Sequence, residues 1–227
     1  MKRSANDLFG FKIRTGDDEI GTVHDFFTDD AIWKIRYLVV STGGLLGGKK
    51  VLISPAVISG VPDWINKFIP VRLNRDQVKH APDVDLAEPI THTEEKVLAD
   101  YYGWSTGAAE PAREPARPVE NYALRSAREL MKYHIRTLED KAGTIRDVIF
   151  DEENWTVSYL EARTGGLLSG RTILISPEWV SRVNMPESEV DLRIHQQVVD
   201  GAPVYDPSQP LTPDVEQQIS HYWSGHA

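Results

Sequence analysis

The chain repeats itself. Ser4–Pro55 aligns with Ser126–Pro177 at a constant offset of 122 residues, without a gap, and 24 of the 52 pairs are identical. A duplication of this kind dictates two similar folded units, because the same sequence meets the same physics twice. At 227 residues the chain has room for one large domain or two small ones, and the repeat decides for two. The expected division is a domain over 1–104, a linker over 105–121 and a second domain over 122–227. Domains of about 100 residues bury a modest core. Contact between the halves, or a dimer, would add stability.

Each copy opens with a Ser-Ala segment, SANDLFG and SARELMK, read as a turn or strand start. A strand, an acidic turn and a longer strand follow. Gly21 and Gly143 stand at the same place, which points to a backbone demand such as positive φ or a bulge, or to a tight strand entry. In the longer strand Val23, Asp25 and Phe27 share one face and His24, Phe26 and Thr28 the other. Neither face is purely apolar, which suits a curved barrel strand better than a flat sheet.

A turn then delivers Trp33 and Trp155, and a third strand follows each. The Gly-rich stretches Thr42–Leu46 and Thr164–Leu168 lack the Gly-Lys-Ser/Thr ending of a phosphate cradle and read as hairpin connections. Fourth strands end at Pro55 and Pro177. A short fifth strand and a helical turn are expected next. Thr91 with Glu94 reads as a capping box, and Thr212 before Pro213 as an N-cap with a first-turn proline. Each copy therefore closes on a helix with an apolar stripe, ending at Tyr101-Tyr102 and Tyr222-Trp223. The stretch between the copies alternates Ala, Pro, Glu and Arg without an apolar period and reads as a solvated spacer.

Composition excludes several classes of function. The net charge of −9 argues against direct nucleic-acid binding. There is no cysteine, hence no disulfide, thiolate or sulfur-ligated metal, and a reducing cytoplasm is favoured. No apolar run of membrane-spanning length exists, and MKRSANDLFG lacks the apolar run of a signal peptide. The seven histidines form no compact ligand set, and His92 near Glu94 and Glu95 reads as a surface helix start. Asp25 with Asp147, and Asp29 with Asp151, recur in both copies as turn caps or rim acceptors. No catalytic, cofactor-binding or metal residue is assigned, and no cofactor is expected.

The candidate interface is aromatic. Trp104 clusters with Tyr101 and Tyr102, and such clusters are enriched at binding surfaces. Tyr222 and Trp223 match Tyr101 and Tyr102, which also suits helices docked on the barrels. Trp33 and Trp155 either anchor a partner or cover an open barrel end.

The segments GTVHDFFTD, Trp33, IRYLVVSTGG and VLISP, with GTIRDVIFDEENWTVSYLEARTGG and ILISP in the second copy, resemble the PRC-barrel family. Glu161-Ala162-Arg163 is less apolar than that family's norm. The family is known from the cytoplasmic domain of the photosynthetic reaction-centre H subunit and the C-terminal domain of a ribosome maturation factor. The resemblance covers about 70 residues in each half and implies an all-β fold, two tandem small barrels with short helices. It implies a non-enzymatic protein-interaction or assembly module, with a protein partner or self-association into an oligomer. The alternatives are an accessory factor in RNA processing or ribosome maturation, and a small-ligand-binding or enzymatic domain with its site between the halves.

Overall fold

The computed structural model describes residues 1–16, 18–43, 48–84, 90–104, 124–165 and 170–226. The expected spacer over 105–121 and the tips of both Gly-rich turns, 44–47 and 166–169, lie outside the described residues. Two compact units result: an N-terminal unit of Asp7–Ala127, and a C-terminal unit of Arg128–Ala227 with Met1–Asn6. Each unit thus contains the opening segment of the other repeat. Strand β1 (Lys2–Ser4) belongs to the C-terminal unit and β7 (Leu124–Ser126) to the N-terminal one, and the unit boundaries fall within the one-turn helices α1 (Ala5–Leu8) and α4 (Ala127–Leu130).

In the N-terminal unit, β2 (Lys12–Thr15), β3 (Asp18–Asp29), β4 (Lys34–Ser41), β5 (Lys50–Ile53) and β6 (Phe68–Pro70) form the sheet, followed by α2 (Arg75–Lys79) and α3 (His92–Tyr102). The strand order is β6-β2-β3-β4-β5, and all pairs are antiparallel except β6 with β2. Strand β3 carries β4 along one edge, while β2 and β7 divide the other. In the C-terminal unit, β8 (His134–Arg136), β9 (Lys141–Asp151), β10 (Thr156–Thr164), β11 (Arg171–Ile175), β12 (Val180–Asn184) and β13 (Glu189–Leu192) precede α5 (Gln196–Gly201) and α6 (Pro213–Ser224). The order is β12-β13-β8-β9-β10-β11, with β8 and β1 dividing one edge of β9. The Gly-rich stretches join antiparallel neighbours, β4 to β5 and β10 to β11, as hairpin connections do.

The long strands break the two-residue alternation. The register of β3 on β4 shifts between Val23 and Asp25, so His24 is the extra residue. Arg146 is its counterpart, where β9 against β10 steps from Ile145 to Asp147. A bulge turns the following side chain to the other face. Asp25 and Phe26 are therefore both buried, as are Asp147 and Val148. The mixed strand faces of the sequence reflect this bulge. The cores are otherwise aliphatic and aromatic, built on Ile13, Phe26, Leu38 and Ile53 in one unit and on Ile135, Phe150, Leu160 and Ile175 in the other.

The expectation of all-β small barrels with short helices is corrected here. The fold is mixed, with tandem PRC-barrel-like sheets that stay open. Among the described residues no pairing joins β5 to β6, or β11 to β12, and α3 and α6 run to 11 and 12 residues. In the C-terminal unit a helix contact is visible at β11. The carbonyl of Leu174 in this end strand accepts the Trp223 indole N–H of α6 at 2.8 Å. A helix, not another strand, takes that edge, and an open sheet buries its apolar face against helices instead of against itself. The helix starts follow the sequence: Thr91 and Glu94 form the reciprocal capping box, and Thr212 caps α6 ahead of Pro213.

The two matched glycines have one cause. Neither has positive φ. A Cβ on Gly143 would sit 2.3 Å from the Arg163 carbonyl oxygen and 3.1 Å from Thr164 Cα, and one on Gly21 would sit 2.5 Å from Val40 Cγ1 and 2.9 Å from the Ser41 oxygen. Close strand approach forbids a side chain there. Gly143→Ala is expected to cost about 1–3 kcal/mol, the range for overpacking, and more than Gly21→Ala, whose nearest obstacle is a side chain. Urea denaturation of the two variants measures both.

Candidate protein-interaction site

The exchanged strands are gripped identically. Lys2, Arg3 and Ser4 stand opposite Asp151, Phe150 and Ile149, and Leu124, Arg125 and Ser126 stand opposite Asp29, Thr28 and Phe27. Every position is related by the repeat offset. The Ser126 hydroxyl donates to Asp25 Oδ2 at 2.6 Å, and the Ser4 hydroxyl donates to Asp147 Oδ2. Arg125 Nε donates to Asp30 at 3.0 Å, and Arg3 makes two bonds to Glu152, each of 3.1 Å. Ala127 and Ala5, the next residues, are fully buried. The bulged aspartates thus hold the first strand of the other repeat. Their backs are tied by Phe26 N–H and Val148 N–H, at 2.8 and 2.7 Å. Asp29 and Asp151 accept from Ala31 and Glu153 N–H, each at 2.9 Å, and set the turn that follows.

The grips differ at the strand's first position. In the N-terminal unit the buried Glu95 of α3 accepts from Arg36 at 3.3 Å and from the Tyr37 hydroxyl at 3.0 Å. Burial, reinforced by the Glu95 charge, pushes the Tyr37 hydroxyl well above its usual range. The second repeat has Ser158 in place of Arg36. There the matching acid, Glu216 of α6, lies 3.6 Å from Lys2 Nζ, which also donates to Asp151 at 3.1 Å. The exchanged strand supplies the cation that the repeat lacks. Burial pushes up the Asp151 carboxyl, but the Glu153 N–H and Lys2 more than offset it and hold it below the ordinary range.

A second difference concerns an acid pair. Asp147 stands directly across from Glu161, where the other unit pairs Asp25 with Val39. Glu161 is 8% exposed. Burial, with the Asp147 charge beside it, pushes its carboxyl up to about 7 from an ordinary 4.5. Burial raises Asp147 too, against the hydrogen bonds from Ser4, Val148 N–H and Asn6. A raised folded-state carboxyl is fully accommodated while protonated. Between pH 4.5 and 7 the unfolded chain sheds the proton and the folded chain keeps it, so stability falls as pH rises, by about 3 kcal/mol for Glu161. Glu161→Val is expected to recover most of this at pH 8 and little at pH 4. Urea midpoints at the two pH values check it.

The aromatic candidates divide by burial. Trp223 is 1% exposed, and Tyr102 and Trp155 are also buried. Trp33, Trp104 and Tyr222 are half-buried and Tyr101 is exposed. Trp33 and Trp155 occupy the left-handed region, at φ 54° and 59°. Trp155 stacks on Phe150 at 5.4 Å, a contact that offsets a backbone strain glycine would avoid. The Tyr101 hydroxyl donates to the Gln77 carbonyl and Tyr222 to that of Val198, at 2.8 and 2.7 Å, tying each long helix to the short helix before it. Tyr102 stacks on Trp104 at 4.2 Å. Its hydroxyl, at the place of the Trp223 indole, is buried without a hydrogen-bond partner. Tyr102→Phe is therefore expected to be neutral or stabilising by up to about 1 kcal/mol, and Trp223→Phe to cost at least about 1 kcal/mol. Thermal melts of both variants measure the contrast.

Among the described residues no group of three or more His, Asp or Glu side chains could hold a metal. Glu189 is held below its usual range by the Lys141 ammonium at 2.8 Å, with Arg136 behind it, an ordinary ion-pair cluster. A shallow depression along α6 is lined by that helix's own face, including Asp214, Gln217 and His221.

One surface escaped the sequence reading. The turn from Val61 to Lys67 presents Val61 at 78% and Ile65 at 92% exposure. It is rigidly held. Asp63 Oδ1 accepts from Ile65 and Asn66 N–H at 3.0 and 2.8 Å, Asn66 Nδ2 donates to Asp63 Oδ2 at 2.8 Å, and Asp63 and Phe68 exchange backbone bonds. Hydrogen bonds from Asn66 hold the Asp63 carboxyl below its ordinary range. Trp64 packs on Phe11 at 4.8 Å, behind the tip. The matching turn of the second repeat, Asn184–Ser188, is closed by a polar contact of Asn184 with Glu187. The available signal was an Asp-Trp-Ile-Asn turn whose apolar residues have no partner in the repeat.

Two tandem open sheets, each completed by a strand and followed by a terminal helix, define a class of small mixed, β-rich domains. The PRC-barrel domain family matches residues 1–71 and 125–194, and the chain belongs to it, with two such domains. The family is generally associated with protein–protein interaction and assembly. No curated protein matches the chain. Among the described residues no helix is long and apolar enough to cross a membrane.

Proposed function

We propose that the protein is a non-catalytic interaction and assembly module whose N-terminal unit binds a partner protein at the Val61–Lys67 tip. The observation that supports this most directly is the exposure of Ile65 and Val61 on a turn ordered by Asp63. Single exposed aliphatics need no explanation, but two on one preorganised turn offer apolar surface to a partner. Burying such side chains supplies affinity, and the ordered turn spares the entropy of fixing them. Lys67 and Asp63 at the rim would select orientation. Membership of a family associated with assembly agrees with this reading.

The test is capture from native lysate by the purified protein, run beside Ile65→Asp. A partner retained by the parent chain and lost at least about tenfold by Ile65→Asp, with Val204→Asp as an exposed control elsewhere, is the expected outcome. Equal retention by Ile65→Asp and the parent would remove the tip from the reading.

A further inference from the structure

Each unit contains a strand site filled by a segment from the other repeat. The site has three parts: a buried aspartate for a serine hydroxyl, Asp25 or Asp147; an acid for an arginine, Asp30 or Glu152; and space for a buried alanine. It adds a short strand to the edge that β3 or β9 leaves free beyond β2 or β8, the arrangement by which sheets bind extended peptides. Arginine and serine being common to both three-residue strands, the first position is the one at which the paired residues differ. In the C-terminal unit that position meets Asp151 and Glu216, with Ser158 where the other repeat has Arg36, and it is filled by Lys2. In the N-terminal unit it is filled by the buried Leu124, opposite Asp29, whose carboxyl already feels the charge of Arg36. There Arg36, paired with Glu95, already supplies a cation to the acids of that unit.

We infer that the edge of β9 is a binding site for an extended Lys-Arg-Ser-Ala segment, that the first residue is its address, and that the segment of a second copy of this chain fits it as the internal one does. The occupant follows from the contacts: Lys2 and Arg3 are matched by Asp151, Glu152 and Glu216, and Ser4 by Asp147. The internal segment holds the site by its high effective concentration, so exchange between chains becomes significant when the internal grip is weakened. This inference deepens the assembly reading by naming a second copy as one partner, but it uses a different surface from the Val61–Lys67 tip.

The experiment uses the full chain with Arg3→Glu and Ser4→Ala, which loosens the internal segment, and a fluorescein-labelled peptide of residues 1–8. Anisotropy should show saturable binding, at least about tenfold tighter than to the parent chain, whose site is occupied. A Lys2→Leu peptide should bind about tenfold more weakly, and higher salt should weaken the parent peptide more than the Lys2→Leu one. Ile65→Asp should leave all of this unchanged, which separates failure here from failure at the tip. Absence of binding to a variant that still unfolds cooperatively, or equal binding of the two peptides, overturns the inference. If the double variant does not fold, Ser4→Ala alone decides: peptide must slow amide exchange at Ile149–Asp151, and unchanged exchange overturns it.

Discussion

A serine hydroxyl on a bulged, buried aspartate, made once in each unit across exchanged segments, is the contact on which the rest of the fold depends. A three-residue strand forms too few backbone bonds to hold itself on a sheet edge. Without it the far ends of β3 and β9 would leave backbone groups unpaired beside an apolar core. Charge-assisted bonds from serine and arginine supply the missing grip and fix the register. The aspartate reaches its place only because His24 and Arg146 are bulged out of the β3–β4 and β9–β10 ladders. The bulge, the buried acid and the exchanged strand are thus one device.

The parts of this device that are local were legible in the sequence. The capping box of Thr91 and Glu94, the proline after Thr212, the hairpin across each Gly-rich stretch and the helices ending in aromatics all follow from neighbours within a few residues. Strand exchange was not legible, because a period-two pattern says which face a residue takes but not which strand it joins. Two identical Ser-Ala segments fit either edge equally well on paper. Closure into a barrel was misjudged for a related reason. Strand curvature can be argued from mixed faces, but whether an end strand finds another strand or a helix is set by nonlocal contacts, such as that of Trp223 with Leu174 in the C-terminal unit. The recurrence of Ser4 with Asp25 as Ser126 with Asp147 carried the signal. It needed the geometry to say that the partners are crossed.

Recurrence also sorts the candidate site. Residues kept in both copies, such as Gly21 and Gly143 or Asp25 and Asp147, are used in construction: a forbidden Cβ and a strand grip. Aromatics that invited an interface reading are spent in part on packing, Trp223 on β11 and Trp155 on Phe150. The tip at Val61 and Ile65 went unnoticed because a turn composition hides apolar residues that a strand or helix pattern would display.

Where the copies differ, the differences compensate one another locally. Losing Arg36 at Ser158 would leave the acid of α6 without a cation, and Lys2 provides one from the exchanged strand. Where Arg36 is present the first position of β7 is the buried Leu124 instead of a cation. Each helix carboxylate therefore has a cation, from β4 in one unit and from the exchanged strand in the other. Glu161 is the exception. Its carboxyl faces Asp147 with no cation recruited to it among the described residues, so the C-terminal unit carries an electrostatic cost at neutral pH that Val39 spares the other. The uncompensated acid behind the Ser4 contact opposes that grip, and the same edge carries the additional bonds of Lys2, Arg3 and Asn6.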